Sequence, residues 1–181
     1  MNITKLIGGL LSAIALAATA ADFDPQTGFR VHNYTQPTPE QVPGGTTIDA
    51  GQAHVLWESG ALSIDVLSIT TGRYDELDGT WPDHPTRMSI PGSLWLPNVG
   101  FGRPEDDMQA YLQENLAERL KTLNDPVVVF CIDSCWMGWN AAQHVSNFGY
   151  SKVYWFPQGT DAWESEGFPM AQSEPLAVNL D

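Results

Sequence analysis

Cysteine and positive charge are both scarce in this sequence of 181 residues. It contains two cysteines, Cys131 and Cys135, and eight Lys and Arg residues against 22 Asp and Glu residues, for a formal net charge of −14. Nonspecific nucleic-acid binding and docking to an anionic membrane both require a positive surface. The charge balance therefore argues against both roles. It favours an acidic surface that keeps the protein in solution, with a basic protein partner as the alternative.

Long apolar runs are also missing, apart from one near the start of the chain. Residues 6–18 form an uncharged, mainly apolar run that follows Lys5 and ends in the small residues Ala18-Thr19-Ala20. The run is shorter than the roughly 20 residues that a spanning helix needs, and this order is typical of a secretory signal peptide. We expect residues 1–20 to be cleaved and the mature protein to be secreted to a periplasm, without membrane attachment. A retained anchor is the alternative.

Composition divides the rest of the chain into three segments. Residues 21–45 are rich in Pro, Thr, Gln and Gly, which predicts an extended N-terminal arm. Residues 46–170 alternate strand and helix patterns, which predicts one α/β domain with a mainly parallel central sheet and helices on both faces. Residues 171–181 form a C-terminal tail without a recognisable pattern.

Within the domain, Val127–Phe130 is the clearest strand, because a continuous β-branched and aromatic run is typical of a central strand covered on both faces. Helical spacing of apolar residues predicts a helix over residues 104–123. The polar stretch 71–86 is predicted to be a loop. The remaining predicted elements are strands over residues 61–66, 94–96 and 152–156, helices over residues 49–58 and 139–148, and a short helix that begins near residue 159.

The residues with reactive chemistry directly follow the clearest strand. Cys131 is predicted to lie at the carboxyl end of a parallel strand, where ligands of α/β proteins bind. It also precedes a helix, whose N–H groups and dipole favour a thiolate. We therefore predict that Cys131 is a nucleophile or sulfur acceptor, with Cys135 as the second thiol. Backbone N–H groups from residue 132 to residue 136 are expected to stabilise its charge. The predicted active-site loop comprises Ile132, Asp133, Ser134, Trp136 and Met137.

Several short motifs occur in a recognisable order, and together they resemble a rhodanese-like domain over about residues 46–167. The resemblance implies a three-layer rhodanese fold and sulfurtransferase chemistry at Cys131. The motifs are Ile64-Asp65-Val66, Ile90-Pro91-Gly92-Ser93, Cys131, Ala141-Ala142, Gly149-Tyr150, Val153-Tyr154 and Gly159-Thr160-Asp161-Ala162-Trp163.

A narrower resemblance covers the cysteine loop and the strand after it. Residues 131–142, Cys-x-x-x-Cys-Trp-Met-Gly-Trp-Asn-Ala-Ala, and residues 154–161 are similar to the secreted PQQ-dependent catabolism-associated CXXCW-motif proteins. That resemblance implies a partner among periplasmic quinoprotein dehydrogenases or their cytochromes. PQQ is implied only through this pathway association. No bound cofactor is predicted other than a persulfide sulfur.

Four positions depart from the rhodanese pattern. Asp133 and Trp136 lie in a loop that usually carries a basic residue, Ser89 replaces the usual His before Ile-Pro-Gly, and Leu67 replaces the usual Arg after Ile-Asp-Val. A nearby carboxylate disfavours a thiolate, and a missing Arg removes an anchor for thiosulfate. These departures leave open whether the protein is a thiosulfate sulfurtransferase.

The role of the two cysteines therefore has three interpretations. They perform thiol or persulfide chemistry, they form a thiol–disulfide redox couple, or they belong to a non-catalytic module that binds a partner. An oxidising compartment favours a disulfide between them, provided that their Cα atoms lie within about 7 Å.

Neighbouring residues also have alternative roles. Cys131, Cys135 and His144 could bind a metal, but the sequence has no second Cys pair and no His-x-x-x-His, so no metal site is predicted. Trp136 and Trp139 either line a pocket for a flat ligand or pack beneath the loop. Asp65, at a strand end, either supports the chemistry or caps a turn. The oligomeric state is not predicted.

Overall fold

The computed structural model describes residues 22–180. The predicted signal peptide, residues 1–20, lies outside the described residues. The helices of residues 22–180 are α1 (Ala50–Glu58), α2 (Asp106–Arg119), α3 (Trp136–Asn147) and α4 (Gly159–Ser165). The strands in this range are β1 (Thr46–Thr47), β2 (Leu62–Asp65), β3 (Arg87–Ser89), β4 (Leu94–Trp95), β5 (Val127–Phe130), β6 (Val153–Phe156) and β7 (Ala171–Ser173).

The central sheet of the described chain is parallel, with the spatial order β1-β6-β5-β2-β4. Strand β5 occupies the middle, with Phe130 opposite Asp65 of β2 on one side and opposite Phe156 of β6 on the other. All four residues of β5 are buried, as expected for a strand covered on both faces. The carboxyl end of β5 is therefore surrounded by neighbouring strand ends, and Cys131 follows there.

Helices cover both faces of this sheet. Val127 and Val129 belong to the cluster that includes the apolar residues of α2 and α3. Val128 and Phe130 point the other way, into the cluster that contains Ala53 of α1 and the buried Trp163 of α4. This alternation follows from the two-residue period of a strand. It confirms the predicted α/β fold with a mainly parallel sheet between two helical layers.

The boundaries of α2 and α3 differ from the predicted ones. Helix α3 begins at Trp136 rather than at residue 139, with Cys135 in extended conformation as its N-cap, so Gly138 lies inside the first turn instead of before the helix. Helix α2 begins at Asp106 rather than at residue 104, because Glu105 is extended, and it ends at Arg119 rather than at residue 123, because Leu120 is extended (φ −105°, ψ 133°). The earlier start of α3 places Cys135 directly at its amino end.

A second, antiparallel pair of strands has no counterpart in the sequence prediction. Strand β3 pairs with β7, with Arg87 opposite Ser173 and Ser89 opposite Ala171. The tail continues along the domain, where Leu176 N–H donates to the Trp95 carbonyl at 3.0 Å. No helix within residues 22–180 is both long and apolar enough to cross a membrane.

A candidate active site at the Cys131–Cys135 disulfide

The two cysteines form a disulfide at the junction of β5 and α3. Their Cα atoms are 6.2 Å apart, within the range that a disulfide allows. Cys131 is 2% exposed and Cys135 is 7% exposed. The structure therefore brings the two predicted reactive residues together in an oxidised, buried pair.

Main-chain groups of residues 133–136 form hydrogen bonds to α4 on one side and to the arm on the other. Asp133 N–H donates to Asp161 Oδ2 at 2.7 Å, and Trp136 N–H donates to the Tyr34 carbonyl at 2.8 Å. Ser134 adopts a left-handed conformation with φ of 55°, and its carbonyl accepts the Gln36 N–H at 3.0 Å. Two of the N–H groups expected to surround the sulfur thus fix the loop to α4 and to the arm instead.

The amino end of α4 lies directly against the first residue of the loop. Thr160 N–H donates to the Cys131 carbonyl at 3.0 Å, and Thr160 Oγ1 lies 3.5 Å from the same oxygen. Gly159 has φ of 51°, and a Cβ at that position would overlap the Cys131 carbonyl. Glycine is therefore required at residue 159, because only a residue without a Cβ allows this close approach.

Asp65, predicted as a supporting residue, is the buried centre of a polar network. Its side chain is 0% exposed and accepts hydrogen bonds from Arg87 Nε at 2.8 Å, from Ser89 Oγ at 2.6 Å and from Leu67 N–H at 3.0 Å. It therefore does cap a turn, and it also binds a buried cation. Arg87 Nη2 donates in turn to Thr160 Oγ1 at 3.1 Å.

Arg87 is the site residue that sequence reasoning missed. It lies outside the loop and belongs to β3, which has no recognisable strand pattern. A usable signal was the buried-looking Asp65, since a buried carboxylate requires a charged or hydrogen-bonding partner. The identity of that partner depends on the pairing of β3 with β7, which local sequence patterns do not reveal.

The arm, residues 22–45, lies along α3 and covers the loop. Asn140 is fully buried and pairs with the main chain of Arg30 on both sides, accepting its N–H at 3.0 Å and donating to its carbonyl at 2.8 Å. Its amide also donates to the Gly100 carbonyl at 2.9 Å. Further along, Trp139 Nε1 donates to the Gln41 carbonyl at 3.0 Å. These contacts hold the arm where Tyr34 and Gln36 meet the loop.

Trp136 and Trp139 pack beneath the arm. Their ring centroids are 5.1 Å apart at 71°, and the Arg30 guanidinium lies 4.6 Å from the Trp136 ring. Trp136 also lines a cavity of about 550 Å³ together with Phe23 and Arg30. Most of the two indole surfaces is therefore used for packing, with Trp136 at the wall of the adjoining cavity. Met137 is also buried, at the start of α3.

His144 lies on α3 in an apolar setting. Its ring is 4.2 Å from that of Phe29, and its Nε2 is 3.2 Å from the Phe101 carbonyl. Burial lowers the pKa of His144 below its ordinary value, and the Phe101 carbonyl partly opposes this effect.

Within residues 22–180, no three or more His, Cys, Asp or Glu side chains are grouped as metal ligands would be.

Comparison with known proteins identifies a family. The family model named Rhodanese-like domain matches residues 64–166. No curated protein matches the sequence significantly.

The similar solved structures share little sequence with this chain. Thiosulfate sulfurtransferase from Pseudomonas aeruginosa is 19% identical with a TM-score of 0.46; the match covers 72% of this chain and 21% of that one. The Alr3790 protein from Anabaena sp. is 16% identical with a TM-score of 0.47, over 70% and 92% of the two chains. The polysulfide-sulfur transferase homodimer from Wolinella succinogenes is 18% identical with a TM-score of 0.44, over 71% and 79%. The chain thus spans about a fifth of the Pseudomonas enzyme.

Proposed function

We propose that this chain, which belongs to the rhodanese-like domain family, performs two-cysteine sulfur chemistry in which Cys131 accepts a sulfur atom and Cys135 resolves it. The observation that carries the proposal is the Cys131–Cys135 disulfide itself. A loop that allows this bond places the Cys135 sulfur within bonding distance of the Cys131 sulfur, so Cys135 can attack Sγ of Cys131 when that atom carries an outer sulfur. The proposal therefore combines persulfide chemistry with a thiol–disulfide couple.

The cycle begins with the reduced dithiol. The Cys131 thiolate attacks the terminal sulfur of a persulfide or polysulfide donor, and the donor leaves with one sulfur fewer. The Cys135 thiolate then attacks Sγ of Cys131, so that the disulfide forms and the outer sulfur departs as hydrosulfide. An external dithiol returns the pair to the reduced state. The disulfide is the product of the second step.

The charges around the loop argue for a donor other than thiosulfate. Asp133 and Asp161 are both exposed beside the loop, and their carboxylates repel a dianion. The guanidinium of Arg30 is occupied, because it donates to the His32 and Asn33 carbonyls and pairs with Asp22 at 3.1 Å. We expect little thiosulfate sulfurtransferase activity from this arrangement.

A second candidate is a non-catalytic accessory module. It is favoured by the low exposure of both cysteine residues and by the hydrogen bonds that join Tyr34 and Gln36 of the arm to the loop. The partner proposed for such a module is a periplasmic quinoprotein dehydrogenase or its cytochrome, by resemblance of the cysteine loop. Pull-down from an alcohol-grown source is expected to enrich such a protein, and its absence would count against this candidate.

We place both candidates outside the cytoplasm. The apolar run at residues 6–18, followed by small residues, supports export. An oxidised cysteine pair is consistent with an oxidising compartment. Amino-terminal sequencing of the protein purified from its own compartment tests this proposal, and a chain that begins before residue 21 would contradict cleavage at the predicted site.

Intact mass spectrometry tests the first candidate. Reduced protein is incubated anaerobically with inorganic polysulfide and measured with and without a reductant. Wild-type protein is expected to return to the disulfide and release about one sulfide per chain, whereas Cys135→Ser retains about 32 Da as a persulfide that reductant removes. Cys131→Ser is the matched control and should gain no sulfur. Sulfur on Cys131→Ser, or none on Cys135→Ser, would overturn the assignment.

A further inference from the structure

A buried cation is connected to the Cys131 peptide through one side chain. Arg87 Nη2 donates to Thr160 Oγ1 at 3.1 Å, and this hydroxyl lies 3.5 Å from the Cys131 carbonyl oxygen. Because the hydroxyl oxygen accepts from Arg87, its proton is free to point at Cys131. One hydrogen bond and one longer polar contact therefore connect the guanidinium to the Cys131 carbonyl, which also accepts the Thr160 N–H at 3.0 Å.

The other end of this connection is fixed. Arg87 Nε donates to the fully buried Asp65 at 2.8 Å, and Ser89 Oγ holds the same carboxylate oxygen at 2.6 Å. The Asp65–Arg87 ion pair therefore has a defined orientation, and its positive end contacts Thr160 of α4. In an interior of low dielectric, such a dipole acts more strongly than it would in water.

We propose that Arg87 is a positioning residue that acts through Thr160 to stabilise the thiolate of Cys131 in the reduced protein. Donation to the Cys131 carbonyl polarises its peptide unit, and the N–H of that unit belongs to Ile132 in the loop. A polarised peptide is a stronger N–H donor. This inference rests on the proposed function, because it concerns the reactive state of Cys131.

The charges on the other elements around Cys131 explain why such a residue is needed. Asp133 of the loop and Asp161 of α4 are exposed carboxylates that oppose a thiolate. On the arm, Arg30 is paired with Asp22. Arg87 contacts Thr160 of α4, the helix whose amino end lies against Cys131, and in this proposal it takes the place of a basic residue within the loop.

Removal of one hydroxyl tests the connection. Thr160→Val removes the hydroxyl at nearly constant shape, and Thr160→Ser retains it. Alkylation of Cys131 by iodoacetamide is followed against pH in reduced proteins that also carry Cys135→Ser. We expect Thr160→Val to lower the rate about three- to tenfold near neutral pH and to move the midpoint of the pH–rate profile upward. Thr160→Ser should restore most of the wild-type profile.

The thiol–disulfide equilibrium separates positioning from a purely structural role. Loss of thiolate stabilisation disfavours the reduced form, so Thr160→Val in the two-cysteine protein should shift the equilibrium with dithiothreitol toward the disulfide, by about threefold or more. If the Thr160 hydroxyl only stabilised the oxidised loop, Thr160→Val would shift this equilibrium toward the dithiol. An unchanged pH–rate profile or a shift toward the dithiol would therefore overturn the proposal.

The role of Arg87 is tested in a double-mutant cycle. Asp65→Asn combined with Arg87→Met removes both charges and leaves no uncompensated buried ion. If Arg87 acts through Thr160, adding Thr160→Val to this background should lower the alkylation rate by less than twofold further. If the two residues act independently, Thr160→Val should lower the rate by the same factor in this background as in the parent protein. If Cys131 of the parent protein reacts no faster than a free cysteine, the proposed function fails instead, so the two failures are distinguishable.

Discussion

Asn140 is the residue at which the attachment of the arm is weakened most directly. Its side chain is fully buried in α3 and forms two hydrogen bonds to the main chain of Arg30 and one to the carbonyl of Gly100. Asn140→Ala removes all three without touching the loop or either cysteine. We expect it to open the arm and make the disulfide easier to reduce.

The magnitude follows from the two bonds that join the arm. Each hydrogen bond contributes about 1 kcal/mol net, so their loss costs the closed arm about 2 kcal/mol. A free-energy difference of about 1.4 kcal/mol is a factor of ten in population, so the opened fraction rises about 30-fold. Since reduction requires access to sulfurs that are 2% and 7% exposed as residues, its rate should rise by a similar factor when opening is a fast pre-equilibrium.

The assay follows reduction of the disulfide by excess dithiothreitol through alkylation and intact mass. Asn147→Ala is the matched control, because Asn147 is exposed at the end of the same helix. Hydrogen exchange over residues 30–36 reports the opening of the arm independently. Trp139→Phe, which removes one hydrogen bond to the arm at Gln41 and keeps an aromatic ring, provides a milder variant with an expected increase of about fivefold.

The reasoning is refuted if residues 30–36 exchange faster in Asn140→Ala while the disulfide is reduced at the wild-type rate. Such a result means that the arm can open without admitting a thiol, so the loop itself or α4 controls access. Equal acceleration in Asn147→Ala would mean that the effect comes from general loosening of α3. If Asn140→Ala does not fold, Trp139→Phe decides between the same outcomes.

Three further predictions concern the surroundings of the loop. Gly159→Ala should lower the free energy of unfolding in urea by about 2 kcal/mol or more, because its Cβ overlaps the Cys131 carbonyl; unchanged stability would contradict the packing described. Burial depresses the pKa of His144, so the unfolded chain binds a proton at this residue at a higher pH than the folded protein does. The free energy of unfolding should therefore be unaffected by His144 above about pH 6.5 and should decrease below it, by at most about 1.4 kcal/mol per pH unit. Urea unfolding of wild type and His144→Gln above and below that pH measures this loss, and parallel pH dependence of the two would exclude it. Asp161→Asn keeps an acceptor for Asp133 N–H but removes a charge, so thiosulfate should react with reduced protein about threefold faster at low ionic strength; an equal gain at high salt would argue against electrostatic repulsion.

Strand β5 and the loop after it could be predicted from sequence because their signals are local. A run of four buried β-branched and aromatic residues, Val127–Phe130, defines the central strand, and the residue after a central parallel strand lies at the ligand-binding edge. Pattern alone predicted a later start for α3, since Gly138 is a poor helix former. In the structure, Gly138 lies close to the Trp155 indole and Cys131 Cβ, so packing outweighs propensity there.

The parts of the site that sequence reasoning missed depend on distant pairings. Arg87 reaches Thr160 because β3 pairs with β7, two three-residue strands separated by most of the domain. The arm was predicted to be extended, but its course over α3 depends on side-chain contacts, among them Asn140, which pairs with the main chain of Arg30 as a strand partner would. Neither contact produces a periodic pattern in the sequence, so neither could be predicted from the sequence alone.

The departures from the usual rhodanese residues become mutually consistent once the contacts are known. Leu67 replaces an Arg, yet its N–H caps Asp65, and the cation is supplied by Arg87 from another strand. Ser89 replaces a His and uses its hydroxyl to hold the same carboxylate. With a cation below the loop, a second cysteine at the helix start and an arm above, the proposed cycle needs neither an open anion pocket nor a basic residue in the loop. Sulfur transfer from thiosulfate to an acceptor requires one cysteine and no resolving thiol. The pairing of Cys135 with Cys131 is therefore the contact that most favours release of the sulfur by a second cysteine of the same chain.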